Sequence, residues 1–592
     1  MKTFIHITAF SFSFLGAVHA VPSRSHCRCT PSDGCWPSAA RWKALNESID
    51  GNLVALKPVG NVCHDPTFDE NACAKITAMQ QDSVWRSQVP GAVQYINWET
   101  WPEKEEKCYI DMDRKTPCGQ GQISEYSAAV HTPKHVQNAV RFAATHNLRL
   151  AVKNTGHCFL GRSVAPESLQ IFTHQMKDIK FTDEFVPKGK RDRRAVGSAV
   201  TIGAGVQLSE LYKATTKENK VVVAGFAHTV GAAGGYIQGG GHSALGPWKG
   251  MAVDNVLEFN VVTAKGEHIT ANDYQNQDLF WALRGGGGGT FGVVTDVTLR
   301  TFTDAPLVSA TLNITQLGNA NDSYWDGIER LHARLPALSD EGGSGYYFMV
   351  PNVQVPGIGQ AAGAGAIFFF ANNDDTAKID EAFAPLLSSL GNIPGLEVSY
   401  ASEQLPGSKY VLEGLVEGSD QTGVAATLGS RLVSRKFLEG QTGPSDLVSV
   451  LKKLKHDSGA QILGNFVAGG QVAKNKDVKV SLNPAWRRAL VHLIFVRGWD
   501  KKTTFAEQRA IQSNVTNVEV PMFKKLEPDM GAYTNEADPY EKDFQESFWG
   551  ENYPRLYELK KKWDPKGLFI VRSGVGSEDW DEYGLCRVRW RD

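Results

Sequence analysis

Past its first twenty residues the 592-residue chain has no apolar run long enough to cross a bilayer. Nor does it carry a surplus of either charge, since 62 Lys and Arg stand against 64 Asp and Glu for a formal net charge of -2. The first absence argues against a membrane-spanning chain. The second removes any global electrostatic reason to expect nucleic acid or an anionic membrane as partner. There is no G-x-x-x-x-G-K-S/T loop and no H-E-x-x-H, and Gly241-His242-Ser243-Ala244-Leu245 lacks the closing glycine of a hydrolase nucleophile elbow. No C-x-C or C-x5-C spacing is followed by the second pair that zinc requires, so no metal site is expected. Gly203-Ala204-Gly205 follows a strand-like stretch and opens a helix, but Leu208 stands where a dinucleotide fingerprint needs its third glycine. It reads as a tight strand-to-helix turn. Phosphoryl transfer, zinc hydrolysis and serine hydrolysis fall away, and a small molecule is left as the partner.

What is present fits a large secreted protein. An apolar content of 42% over this length supports a sizeable core and two or more domains. Residues 1–20 combine Lys2, a mostly apolar stretch and the small residues Val18 and Ala20, a secretory cleavage pattern that places the mature start near Val21. Seven of the nine cysteines (Cys27, Cys29, Cys35, Cys63, Cys73, Cys108 and Cys118) crowd the first part of the mature chain, as suits an oxidising compartment. Cys63 with Cys73 and Cys108 with Cys118 read as local bridges. If Cys586 crosses back to the group at Cys27, Cys29 and Cys35, Cys158 alone is left free. Sequons at Asn46, Asn313, Asn321 and Asn514 agree with a secretory route.

Patterning divides the chain into a disulfide-rich extension over 21–122, an alpha and beta region over 123–302, a second domain over 303–530 and a polar, aromatic C-terminal segment over 531–592. Thr132 and Pro133 signal the start of a helix that stops at Asn147, and further helices are predicted over 206–218 and 553–563. Strands are expected at 148–152, 221–223, 256–263, 293–301, 366–370 and 489–496.

Glycine clusters in three places: Asn154-Thr155-Gly156-His157 with Gly161, the run 231–241, and Gly285 to Gly289 with Gly292. Without Cβ atoms such loops approach a ligand closely, and their N–H groups can cradle a pyrophosphate. Three of them in one region suggest a large phosphate-bearing cofactor.

Several blocks, taken in order, carry a family resemblance. Val152-Lys153-Asn154-Thr155-Gly156-His157, Gly161-Arg162-Ser163, Thr229-Val230-Gly231, Gly239-Gly240-Gly241-His242-Ser243 and Asp278 to Gly289 resemble the FAD domain of the vanillyl alcohol oxidase superfamily, in its berberine bridge enzyme-like and fungal alcohol oxidase-like branch. The match resumes at Gly531 to Asp538 and at Asn552-Tyr553-Pro554-Arg555-Leu556. The resemblance implies an α+β fold: a two-part FAD-binding domain, completed by the C-terminal segment, beside a separate mixed-sheet substrate domain. It implies FAD held by a covalent bond to His157, with Lys153, Asn154, Thr155, Gly156, Gly161, Arg162, Ser163, Thr229, Val230, Gly231, Gly234, Gly235, Gly240, Gly241, Gly292, Val294 and Asn552 around the cofactor. Relatives add a second bond from a cysteine two residues before the T-V-G triplet. Ala227 stands there, so one bond is predicted.

Val230 occupies the position resembling the family's oxygen gate, which favours an oxidase over a dehydrogenase or a cyclising enzyme with poor use of O2. A secreted flavin-binding module without catalysis is the reading from another class. For the family's reaction, in which a substrate hydroxyl gives up a proton as hydride leaves its carbon, His242 and Tyr533 are the candidate catalytic residues. Phe159 stands where some relatives carry tyrosine, and Lys153 where arginine is common, so a charge at 153 would face a phosphate without a bidentate fork.

Overall fold

A computed structural model describes residues 26–318, 320–409, 412, 420 and 422–588. The leader read at 1–20 lies outside the described residues.

Helices and sheets mix as the α+β reading expects. The helix Pro133–Thr145 starts where Thr132 caps it, the threonine side chain accepting from the His135 N–H, and His135, Val136, Ala139, Val140 and Ala143 form its buried stripe. Beyond it Asn147 takes a positive φ of 50° and turns the chain into the strand Arg149–Lys153. That strand and Tyr126–Ala129 flank Ser168–Phe172, both parallel to it. On the outer side Leu53–Ala55 pairs antiparallel with Tyr126–Ala129, so the segment read as an extension supplies an edge strand of this first sheet.

A second, antiparallel sheet orders its strands Ile179–Thr182, Ala199–Gly203, Val293–Arg300, Val256–Val262 and His268–Asn272. The turn after Ala199–Gly203 leads to the helix Leu208–Lys217 as predicted. A Cβ on Gly205 would lie 2.2 Å from the His174 carbonyl oxygen, and this close approach is the reason for glycine there. Of the strand expected at 221–223 only Lys220–Val221 pairs, with Phe302–Thr303.

The middle of the chain builds a seven-stranded sheet in the order Glu397–Leu405, Leu307–Leu317, Gly359–Ala371, Gly343–Val355, Ile462–Phe466, Ala489–Trp499 and Ala425–Ser434. Its strands pair antiparallel throughout, where the resemblance implied a mixed sheet. The helices Asp322–Asp340 and Thr376–Gly391 join its buried side chains in one core, with Phe368, Phe370, Phe383 and Leu331 at the centre.

Four disulfides form: Cys63–Cys73 and Cys108–Cys118 as expected, and, within the group left open by the sequence, Cys29–Cys35 and Cys27–Cys586, the last between the two ends of the described chain. Cys158 is free. No helix among the described residues is long and apolar enough to cross a membrane.

Candidate active site

A cavity of about 1060 Å³ runs between the glycine loops and the seven-stranded sheet. Single ligand pockets usually hold about 300–1,000 Å³, so this one has room for a large cofactor and a small molecule together. Its loop wall contains Asn154, Thr155, Gly156, His157, Arg162, Ser163, Val230, Gly231, Gly234, Gly235, Gly292 and Val294, all named from the sequence, together with Gly288 and Gly289. A Cβ on Gly288 would lie 2.8 Å from the Gly235 Cα, so the two loops meet this closely only because residue 288 is glycine. Asn154 Oδ1 and Gln238 Oε1 are buried without partners on this wall. Glycine N–H groups suit the phosphates of a cofactor such as FAD, and the two unpaired acceptors suit its O–H or N–H donors.

The six other predicted cofactor residues stand behind the lining. Lys153 is the clearest correction. Its Nζ donates to the carbonyls of Val89 (2.6 Å) and Ala92 and more weakly to that of Pro90. Burial pushes its pKa down to about 7, against the opposing pull of Glu99. The lysine anchors the strand end that leads into the His157 loop and does not face a phosphate. Thr229 sits behind His157, Gly161 packs on Trp98, and Gly240 lies against Leu482. Gly241 donates its N–H to the Tyr533 hydroxyl at 3.0 Å, and Asn552 Nδ2 donates to the Leu482 carbonyl at 2.9 Å. Arg162 does line the cavity, but its guanidinium is committed to the carbonyls of Thr534, Arg572 and Ser573, stitching the loop to the C-terminal segment.

His157 Nε2 lies 2.6 Å from the Thr229 hydroxyl. Burial pushes the imidazole pKa down to about 4, with Asp420 opposing and His228 adding to the fall. The ring is therefore neutral, the form in which it is nucleophilic. Phe159 stacks on Tyr95 with ring centroids 4.4 Å apart, so the position where some relatives carry tyrosine is an apolar wall.

His242 and Tyr533 come together, their ring centroids 5.4 Å apart. Tyr533 accepts from Gly241 and from Asn535 Nδ2 (2.8 Å), and burial raises its pKa. Burial thus favours its protonated form.

Sequence reasoning missed the strongest acid–base group. Glu536 Oε2 lies 3.3 Å from His242 Nε2 and 3.5 Å from His492 Nδ1. Burial pushes the carboxyl up, but the two histidines, His242 first, outweigh it and hold its pKa below the ordinary value. His492, on the strand Ala489–Trp499, is fully buried with its pKa lowered by that burial to about 4. His492 is thus neutral beside the Glu536 carboxylate. Ligand atoms of these three side chains lie within 4.8 Å of one another, and His242 Nε2 is hydrogen-bonded to Glu536 Oε2.

A family description of an FAD-binding domain matches residues 125–272, and one of berberine and berberine-like proteins matches 532–576. An FAD-linked oxidoreductase of Arthroderma benhamiae is 56% identical over 590 residues, covering 99% of this chain and all of the relative. FAD-linked oxidoreductase notD of an Aspergillus species is 42% identical over 579 residues, 95% of this chain and 90% of its own. Among solved structures, a VAO-type flavoprotein of Myceliophthora thermophila superposes with a TM-score of 0.84 at 30% identity, over 95% of this chain and 100% of that one. Berberine bridge enzyme of Eschscholzia californica shares the fold at a TM-score of 0.63 and 16% identity, over 90% and 98% of the chains. The fold and cleft define a flavin-dependent oxidoreductase, and the chain belongs to the vanillyl alcohol oxidase superfamily of FAD-linked enzymes, in its berberine bridge enzyme-like branch.

Proposed function

We propose that the protein is a secreted oxidase that carries FAD on one covalent bond to His157, oxidises a hydroxyl-bearing small molecule and delivers the electrons to O2 as hydrogen peroxide. The observation that carries this reading is one continuous cleft lined at its glycine loops by a neutral His157 and within by the Glu536–His242 pair. When bound, FAD supplies a two-electron acceptor that O2 can reoxidise.

The chain supplies the proton chemistry. An alcohol hardly ionises near neutral pH, so a positioned base is worth about a hundredfold to ten-thousandfold in rate. Glu536, held as a carboxylate beside His242, takes the hydroxyl proton, and His242 stabilises the charge by hydrogen bonding. Tyr533, fixed by two donors, gives the substrate a rigid wall. The sheet adds Tyr346, Phe348, Leu428 and Ile494, an aromatic and aliphatic surface for a compact organic substrate. Val230 lines the loop side, where a small side chain leaves space for O2. A single bond is favoured because Ala227 offers no thiol and the Cys158 sulfur already accepts the Arg162 N–H at 3.4 Å. Secretion agrees with the four disulfides.

The test is to express the full chain with its leader, collect it from the medium, and assay a panel of alcohols, carbohydrates and hydroxylated aromatics for flavin bleaching and peroxide. Bleaching with stoichiometric peroxide, and yellow colour that stays with acid-denatured protein but not with His157→Ala, is the expected result. Bleaching that persists in air without peroxide would point to a dehydrogenase and overturn the oxidase reading.

A further inference from the structure

We infer that Asp420, acting through the hydroxyl of Thr229, holds the His157 proton on Nε2 and so presents the Nδ1 lone pair as the atom that bonds the flavin. This rests on the covalent attachment proposed above and goes further, naming the residues that prepare it.

The geometry assigns the protons. Asp420 Oδ2 receives the Thr229 backbone N–H at 2.9 Å and also the Thr229 hydroxyl. A carboxylate can only accept, so the hydroxyl proton points at Asp420. Thr229 Oγ1 then has lone pairs, and no proton, for its third neighbour, His157 Nε2 at 2.6 Å. That nitrogen must therefore be the N–H donor, and in a neutral imidazole the other nitrogen carries the lone pair. The direct separation of His157 Nε2 from Asp420 Oδ2 is 3.6 Å, too long for a good hydrogen bond, so the hydroxyl is the link. His228 Nδ1, 3.5 Å from the same carboxylate oxygen, is the other titratable group at the cluster.

A second observation shows that this meeting is built. Asp420 stands far along the chain from His157, and one fully buried residue, Gln94, ties the His157 loop to Thr422 and Gly423, which follow Asp420 closely in sequence. Its backbone N–H donates to the Gly156 carbonyl at 3.1 Å and its side-chain Nε2 to the Thr155 carbonyl at 3.1 Å. Its own carbonyl accepts from Gly423 at 2.9 Å, and its Oε1 accepts from the Thr422 hydroxyl. The His157 loop and residues 422–423 thus share one anchor in the N-terminal segment.

Attachment joins Nδ1 to the 8α carbon of the flavin and breaks one C–H bond there. The electron pair left on the ring system passes to O2, which becomes hydrogen peroxide with two protons. One of those protons comes from the 8α carbon and the other from Nε2, released as alkylation of Nδ1 acidifies it, through Thr229 toward Asp420. Asp420 and Thr229 are positioning residues here, since neither bonds the cofactor.

The test uses full-length apoprotein made under flavin limitation, to which FAD is added in air. Bound flavin is followed by its absorbance, and linked flavin by in-gel fluorescence after acid denaturation. Thr229→Val and Asp420→Asn are expected to bind FAD yet link it roughly a hundredfold more slowly, whereas Thr229→Ser, which keeps the hydroxyl, stays within about threefold of the wild type. An amide at 420 can donate to Thr229, turn the hydroxyl proton toward Nε2 and move the imidazole proton to Nδ1. In 15N-histidine spectra of the apoprotein, the His157 signal, assigned by its loss in His157→Ala, should switch tautomer in Asp420→Asn. Wild-type rates in both Thr229→Val and Asp420→Asn, or an Nδ1–H tautomer in the wild type, would overturn the inference while leaving covalent attachment intact. A wild type that releases all its flavin in acid would remove the covalent reading and this inference with it.

Discussion

Glu536 shows what a single side chain contributes and why it was hard to see. It lies in the returning block Thr534-Asn535-Glu536-Ala537-Asp538, next to the tyrosine singled out from the sequence, yet half its setting comes from His492 on a strand that gave no motif. Proximity that depends on one strand and two loops folding together leaves no local pattern, whereas glycine loops announce themselves by composition. His157 was legible for the second reason and Glu536 hidden for the first. Replacing Glu536 with Gln keeps the shape but removes the base, and substrate-dependent flavin reduction in stopped flow should slow by about a hundredfold or more. Flavin content should not change. The carboxylate is held below its ordinary pKa chiefly by His242 against its own burial, so the acid limb of the reduction rate should lie below the ordinary glutamate range. In His242→Ala the largest opposing influence is gone, burial prevails, and that limb should move to higher pH in a pH–rate profile.

Among the elements, those with local punctuation were readable and those with distant partners were not. The helix Tyr553–Trp563 has Pro554 in its first turn and Asp564-Pro565 beyond its end, and the structure keeps the predicted limits. The strand Val256–Val262 announces itself by its apolar, β-branched residues and is buried at five of its seven positions. By contrast, the order of the seven-stranded sheet depends on registers between segments widely separated in sequence, which no window of residues contains. The bridge Cys27–Cys586 joins elements of this second kind. Arg28 donates its N–H to the Leu585 carbonyl at 2.7 Å and Arg587 to that of His26 at 3.1 Å, so the disulfide fastens a short antiparallel pairing. Changing both cysteines to alanine should cost about 2–5 kcal/mol. Differential scanning calorimetry should show a lower melting temperature, with flavin reduction at 25 °C little altered.

For the whole molecule, four buried histidines set the response to acid. Burial lowers the pKa of His157, His332 and His492 to about 4 and of His174 to about 3. Their folded values lie below the unfolded one near 6.5, so the unfolded chain binds more protons in that window. The stability they contribute is complete above about 6.5 and is lost as pH falls toward 4. Asp538, raised by burial to about 6, acts in the opposite sense, as do Glu99 and Glu125, whereas His146, His268 and His456, also lowered by burial, add to the four. The urea midpoint should therefore be lower at pH 5 than at pH 7, read by tryptophan fluorescence.

The pairing of Leu53–Ala55 with Tyr126–Ala129 bears on how this enzyme can be taken apart. The recognisable FAD segment begins at residue 125, but a fragment cut there would bare a row of unsatisfied amides along Tyr126–Ala129. It would also lose the residue that ties Thr155 to Thr422. Such a fragment would recruit a second molecule to its open flank and precipitate, so the smallest piece worth expressing starts upstream of Leu53.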